Sequence, residues 1–277
     1  MLFRSGVGDY YERNLIFLNQ LNGIKLYEDD VTTIAGNVIG TNDSGSATVG
    51  NTQNGIYASM SYGAVIGTDG SGSGAVAEGN LISANKGTGI KLENSYLFTI
   101  AGNKIGTDIS GSLSSKNYDG IQLVDSYSNT IGTDGDGVGD TLEGNLISGN
   151  GRNGIAILDS GSNQNTIAGN RIGVNISGTL ALPNKEYGIF IQGGGRNLIG
   201  TDGDGWGDSV ERNIISGNTL SGIYLKGNEN RIAGNYIGMD ASGTVSIPNH
   251  WGIMVVDFFS NFICRNSDRI WNTNEGN

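Results

Sequence analysis

Short apolar segments recur along this chain, each with turn residues on both sides. Between Asn80 and Asn103 the order is NLIS, then GIKL, then TIAG, rich in Ile and Leu and bounded by Gly, Asn or Ser. That is strand chemistry with turn punctuation, and no stretch keeps a helical period. The next unit, Asn103 to Asn145, repeats the order as NKIG, GIQL and NTIG. It is longer because it carries two inserted loops, TDISGSLSSKNYD and TDGDGVGDTLEG. Three short strands per turn without helices predict one coil of a single-stranded parallel β-solenoid. An Asn-apolar-Ile segment at Asn14, Asn80, Asn145 and Asn213 marks four long repeats. At two coils per repeat, the all-β chain should build about eight coils, three short strands in each.

The spacing also names the core. Ile82, Ile105 and Ile147 should form one internal column, Ile90, Ile121 and Ile155 a second, and Ile100, Ile131 and Ile167 a third. A buried Ile contributes roughly 1.5–3 kcal/mol, so one coil cannot stand alone and stacking makes the core continuous. Asn14, Asn37, Asn80, Asn103, Asn145, Asn170, Asn213 and Asn235 all open the first strand of a coil. Stacked at one turn, their amides should hydrogen-bond along the axis as a ladder.

Composition narrows the partners. The 277 residues include 48 glycines and only two prolines, with no three-residue period, which fits a fold of many tight turns and excludes collagen. The net charge of −11 argues against nucleic acid and favours cations. One cysteine, Cys264, gives no internal disulfide, and no apolar run reaches the about 18 residues of a membrane span. Residues 1–5, MLFRS, read as non-native and adapter-like. The β-solenoid runs over 6–257, and 258–277 read as a degenerate or truncated end. GVGDYYERNLI enters the middle of a repeat, so the chain reads as an internal fragment whose export signal would lie upstream.

The motifs NLISGN, NTIAGN and IGTDGDGVGD resemble those of bacterial right-handed parallel β-helix repeat proteins of the pectin-lyase-like superfamily. The resemblance implies a secreted or cell-surface setting and extracellular polysaccharide or surface glycan as partner. It does not imply one activity, since this fold hosts lyases, hydrolases, epimerases and inert stalks. Lyases of the fold resemble one another in using calcium-held carboxylates with an Arg or Lys base, and hydrolases in using clustered aspartates.

Two sets of candidate residues stand out. In the complete acidic loops, Asp134, Asp136, Asp140 and Glu143 recur as Asp202, Asp204, Asp208 and Glu211. Carboxylates on a glycine-rich backbone suit a hard cation, so calcium is the cofactor expected, although Asp-Gly pairs are also ordinary turn formers. The copy at Thr68 keeps only Asp69 and Glu78 and should bind poorly. For glycan contact, Phe190 and Tyr224 should face outward on neighbouring coils, and Trp206 tips the second complete loop. No catalytic constellation is visible. Lys104, Arg171 and Arg231 read as edge charges, and His250 beside Trp251 as a turn residue. The sequence therefore favours a non-catalytic segment, serving as stalk, adhesin or glycan-contacting module. The alternative is a polysaccharide lyase, hydrolase or epimerase.

Overall fold

The three-strand pattern closes into coils because each strand finds its hydrogen-bond partners one coil away. The computed structural model describes residues 13–46, 49–72, 74–256 and 260–264. Within them lie three parallel sheets of eight strands each. The first runs from Leu15–Ile16 to Tyr236–Ile237, the second from Ile24–Tyr27 to Trp251–Val255, and the third from Thr33–Ile34 to Phe262–Cys264. The registers are those the apolar spacing demands. Ile105 pairs with Ile82 and Ile147, Ile121 with Ile90 and Ile155, and Ile131 with Ile100 and Ile167. All are fully buried in one continuous core. Helix is confined, among the described residues, to Ala75–Glu78 and Asp140–Glu143.

Compact and long coils alternate. On the long coils an acidic loop enters the first sheet and a second loop leaves it, so the outer face of that sheet is also covered. Val38, Leu81, Leu146 and Ile214 are buried there, and Val174 and Ile247 pack on Ile214.

Side-chain ladders close the corners. At the entry to the first sheet, Asn80 gives its backbone N–H (3.0 Å) and side-chain Nδ2 (2.9 Å) to Asn103 Oδ1. Asn103 does the same to Asn145, at 3.0 Å each. The second Nδ2 proton goes to a core carbonyl, that of Ile66 from Asn103 at 2.8 Å. Each buried amide thus accepts twice and donates twice. Two further Asn ladders close the other corners. One runs Asn51, Asn85, Asn117, Asn150, Asn184, Asn218, Asn249 and the other Asn129, Asn165, Asn197, Asn230, Asn261. A serine ladder, Ser61–Ser95–Ser126–Ser162, shares the corner after the second sheet. Beside it Tyr62, Tyr96 and Tyr127 stack with centroids 5.4 and 4.9 Å apart.

One corner position breaks the pattern with a charge. Asp119 lies just before the second sheet and is fully buried. Its Oδ1 accepts from Asn153 N at 2.9 Å, while Oδ2 has no hydrogen-bond partner. Arg152 Nη1 stands 3.8 Å from that oxygen, and Arg152 Nε is held by Glu186 at 3.2 Å. Burial pushes the Asp119 carboxyl above the usual range, and the Arg152 charge only partly opposes it.

Two expectations follow from the corners. Asn103→Ala and Asn170→Ala each remove an acceptor shared by two buried donors, and should cost roughly 1–3 kcal/mol in urea unfolding. Lys185→Ala, at an exposed site, should be near neutral. Equal midpoints for all three would remove the ladder as a source of stability. Asp119 behaves in the opposite sense. Its folded pKa lies above its unfolded one, so the parent loses stability as pH rises from about 4 through the raised value. Asp119→Asn keeps the acceptor without the charge. Its stability relative to the parent should therefore climb over that window, at a slope of at most about 1.4 kcal/mol per pH step of one. A difference independent of pH would show that burial does not favour the protonated form of Asp119.

Candidate functional site

The acidic loops, 68–79, 133–144 and 201–212, leave the third sheet and return to the first. Their launch points, Gly67, Gly132 and Gly200, have positive φ, and a Cβ there would strike the carbonyl of Ala101, Ala168 or Ala233 on the next coil. Only glycine allows the exit. Beyond it, Gly135, Gly137 and Gly139 alternate in the left-handed region at φ 74, 86 and 75°, and Gly203, Gly205 and Gly207 do so at 69, 92 and 67°.

This alternation wraps the backbone around its own carboxylates. Asp134 Oδ1 accepts from Asp136 N (3.2 Å), and Asp136 Oδ1 from Val138 N (2.7 Å). Asp202 and Asp204 do the same for Asp204 N (3.0 Å) and Trp206 N (2.7 Å). In the second loop the chain brings carboxylate oxygens of Asp134, Asp140 and Glu143 within 4.8 Å of one another, and in the third those of Asp202, Asp204 and Asp208. Asp136 stands outside the first group. Glu211 stands outside the other, its Oε2 accepting from Asp202 N at 3.1 Å. Burial raises both Glu143 and Glu211, helped by neighbouring aspartate charges and opposed by Thr133 and Thr201 hydroxyls.

Successive acidic loops also touch. Glu143 Oε1 and Val138 O both crowd Gly70 of the first loop, and Glu211 crowds Gly135 of the second. Each loop rests on the tight corner of a compact coil, with Gly102 N donating to Glu143 O (2.6 Å) and Gly169 N to Glu211 O (2.7 Å).

The loops on the other edge of the first sheet are different. Asp108 Oδ1 accepts from Ser112 N and Leu113 N, and Asp240 Oδ1 from Thr244 N and Val245 N, all at 3.0 Å. Asn175 fills the same place without a charge. These are turn formers. The bonds hold Asp108 and Asp240 below the usual carboxylate range, with burial opposing.

The glycan candidates divide. Phe190 and Tyr224 are register partners on the second sheet and stack at 5.0 Å. Tyr187, which the strand pattern did not mark, joins them at 5.3 Å from Phe190 and 5.1 Å from Tyr224. Trp206 lies apart, 78% exposed at its loop tip. Among the basic residues, Lys104 Nζ donates to Ile109 O (2.6 Å) and burial lowers its pKa. Arg231 Nη1 donates to Asp202 O (3.0 Å). His250 meets Trp251 edge-on at 5.2 Å. Arg171 and Arg212 line a recess of about 230 Å³ over the first sheet, with Tyr236 and Asp140. Arg212 lies 4.2 Å over the Tyr236 ring, and Arg171 Nε is buried without a partner.

Comparison with solved structures finds the same fold. A double mutant of the periplasmic alginate epimerase AlgG superposes with a TM-score of 0.56 at 16% identity, over 89% of this chain and 47% of that one. The unmutated epimerase gives 0.53 at 17%, over 91% and 50%. An alginate lyase from Paenibacillus sp. str. FPU-7 gives 0.39 at 15%, over 88% and 78%. This chain therefore spans about half the length of the epimerase structures. No curated protein matches it in sequence. Residues 6–202 match the family described as the right handed beta helix region. Together with the three parallel sheets, that match places this chain in the right-handed β-helix family.

Proposed function

We infer that this chain is a rigid, non-catalytic β-helix segment of an exported or cell-surface protein, and that it contacts polysaccharide through its second sheet. The observation that carries this reading is the Tyr187–Phe190–Tyr224 cluster of three partly exposed rings. Phe190 and Tyr224 share the second-sheet face on neighbouring coils, and Tyr187 stands just before the strand of Phe190. Rings held by a stiff scaffold offer apolar area with little entropy left to lose on binding. The likeness to proteins named as acting on alginate supports carbohydrate as the ligand class. The net charge of −11 favours neutral glycans over polyanions. Among the described residues no helix is long and apolar enough to cross a membrane.

A second reading, a polysaccharide lyase, hydrolase or epimerase, draws on the Arg171–Arg212–Tyr236 recess, where two guanidinium groups suit a sugar carboxylate. Affinity electrophoresis separates the two. Gels containing a neutral galactomannan or xyloglucan should retard the parent, and Tyr224→Ala or Phe190→Ala should weaken binding about tenfold, or about 1.4 kcal/mol. Alginate and pectate should be left without new unsaturated or reducing ends and without epimerised residues. Unretarded migration in every neutral gel sinks the first reading. Turnover of alginate that Arg171→Ala abolishes establishes the second.

A further inference from the structure

The two complete acidic loops differ in what their buried oxygens already hold. In loop 201–212, Glu211 Oε2 accepts from Asp202 N at 3.1 Å and Asp208 Oδ1 from Thr201 Oγ1 at 2.6 Å. No buried carboxylate oxygen of that loop lacks a partner. In loop 133–144, Glu143 is only 3% exposed, and its Oε2 is buried with no hydrogen-bond partner. Burying a carboxylate oxygen without a donor is costly, and the nearest donors, the Thr133 hydroxyl and the Asp134 N–H, leave Oε2 unbonded. The site offers instead two more carboxylates, with oxygens of Asp134, Asp140 and Glu143 all within 4.8 Å. Three acids with few donors repel one another unless a cation stands between them.

We propose that Asp134, Asp140 and Glu143 bind one divalent cation of calcium size, and that loop 201–212 has no site of comparable affinity. The donors are all hard oxygens on a glycine-rich loop, which suits the six to eight flexible ligands of calcium better than the strict octahedron of magnesium. Water and loop carbonyls complete the shell. Asp136 takes no part, because its carboxylate lies outside the group whose oxygens come within 4.8 Å of one another. Glu143 also lies against Gly70 of the preceding acidic loop. The ion therefore fastens one loop beneath another, two coils apart, and calcium stabilises the stack.

Calorimetric titration of the full chain with calcium chloride should give one site with a dissociation constant on the order of 10⁻⁴ to 10⁻³ M. Calcium at ten to a hundred times that constant should raise Tm by about 3–10 °C. Glu143→Gln and Asp140→Asn should each lose the heat and the shift, while Asp202→Asn with Asp204→Asn should keep both. Asp140 is partly exposed, so its variant carries the test if Glu143→Gln fails to fold. The proposal is overturned by a parent that neither binds calcium nor shifts in Tm, or by Asp140→Asn that binds as the parent does. Loss of binding in the Asp202/Asp204 variant would also overturn it, as would an equal shift from magnesium.

Discussion

The strands of a coil have no strand partner within that coil, and everything else depends on that. They pair only with strands one coil away, and the corner amides do the same. Asn103 accepts from Asn80 on one side and donates to Asn145 on the other. A residue is tolerated at an inward corner only if it reproduces that exchange or fills the space with apolar volume. Phe98 takes the second course at the corner where Asn129 begins a ladder, and it receives the Asn129 oxygen on its own backbone N–H at 3.0 Å. Stability is then close to a sum over neighbouring coils, and each coil constrains the next.

That constraint leaves variation only where a coil faces outward. The long coils use it for loops on both edges of the first sheet, and the strand faces use it for side chains. Among the described residues Asp119, Glu143, Glu211 and Asp240 are carboxylates drawn inward, and of these Asp119 and Glu143 each keep an oxygen without a hydrogen-bond partner. At Asp119 a neighbouring guanidinium compensates, whereas Glu143 meets two more carboxylates, the basis of the cation proposal. Geometry around similar groups thus gives a structural ion pair in one place and a candidate site in the other.

The outward faces differ in character as well. The second sheet presents aromatic rings on neighbouring coils, while the recess over the first sheet carries two arginines within an acidic protein. A rod that gathers ligands along one face needs only the former. A catalyst would need the latter to be joined by a group that moves a proton. The fold accommodates either, and so its likeness to an alginate epimerase fixes the architecture and leaves the chemistry to the sites.

Periodicity by itself determined the strand order, the three isoleucine columns and the first asparagine ladder, because each depends only on residues recurring once per coil. The other two ladders recur more evenly still, every 32 to 36 residues from Asn129 to Asn230 and every 31 to 34 from Asn51 to Asn249. The corner after the second sheet was not legible. There Glu28, Val31, Met60 and Leu97 adopt positive φ of 48 to 59° without being glycine. Bonds between coils hold them so, as Met60 N does to Glu93 O at 3.1 Å, and local propensity is overruled. The acidic loops show the same division. Spacing marked Asp134, Asp136, Asp140 and Glu143 as equivalent, whereas the backbone path commits Asp136 to a turn and buries Glu143 against a loop two coils away. Tyr187 joined Phe190 and Tyr224 for the same reason. Sequence specifies what repeats within a coil, and only the stacked structure decides which side chains meet across coils, because those distances are set by the solenoid and not by the chain.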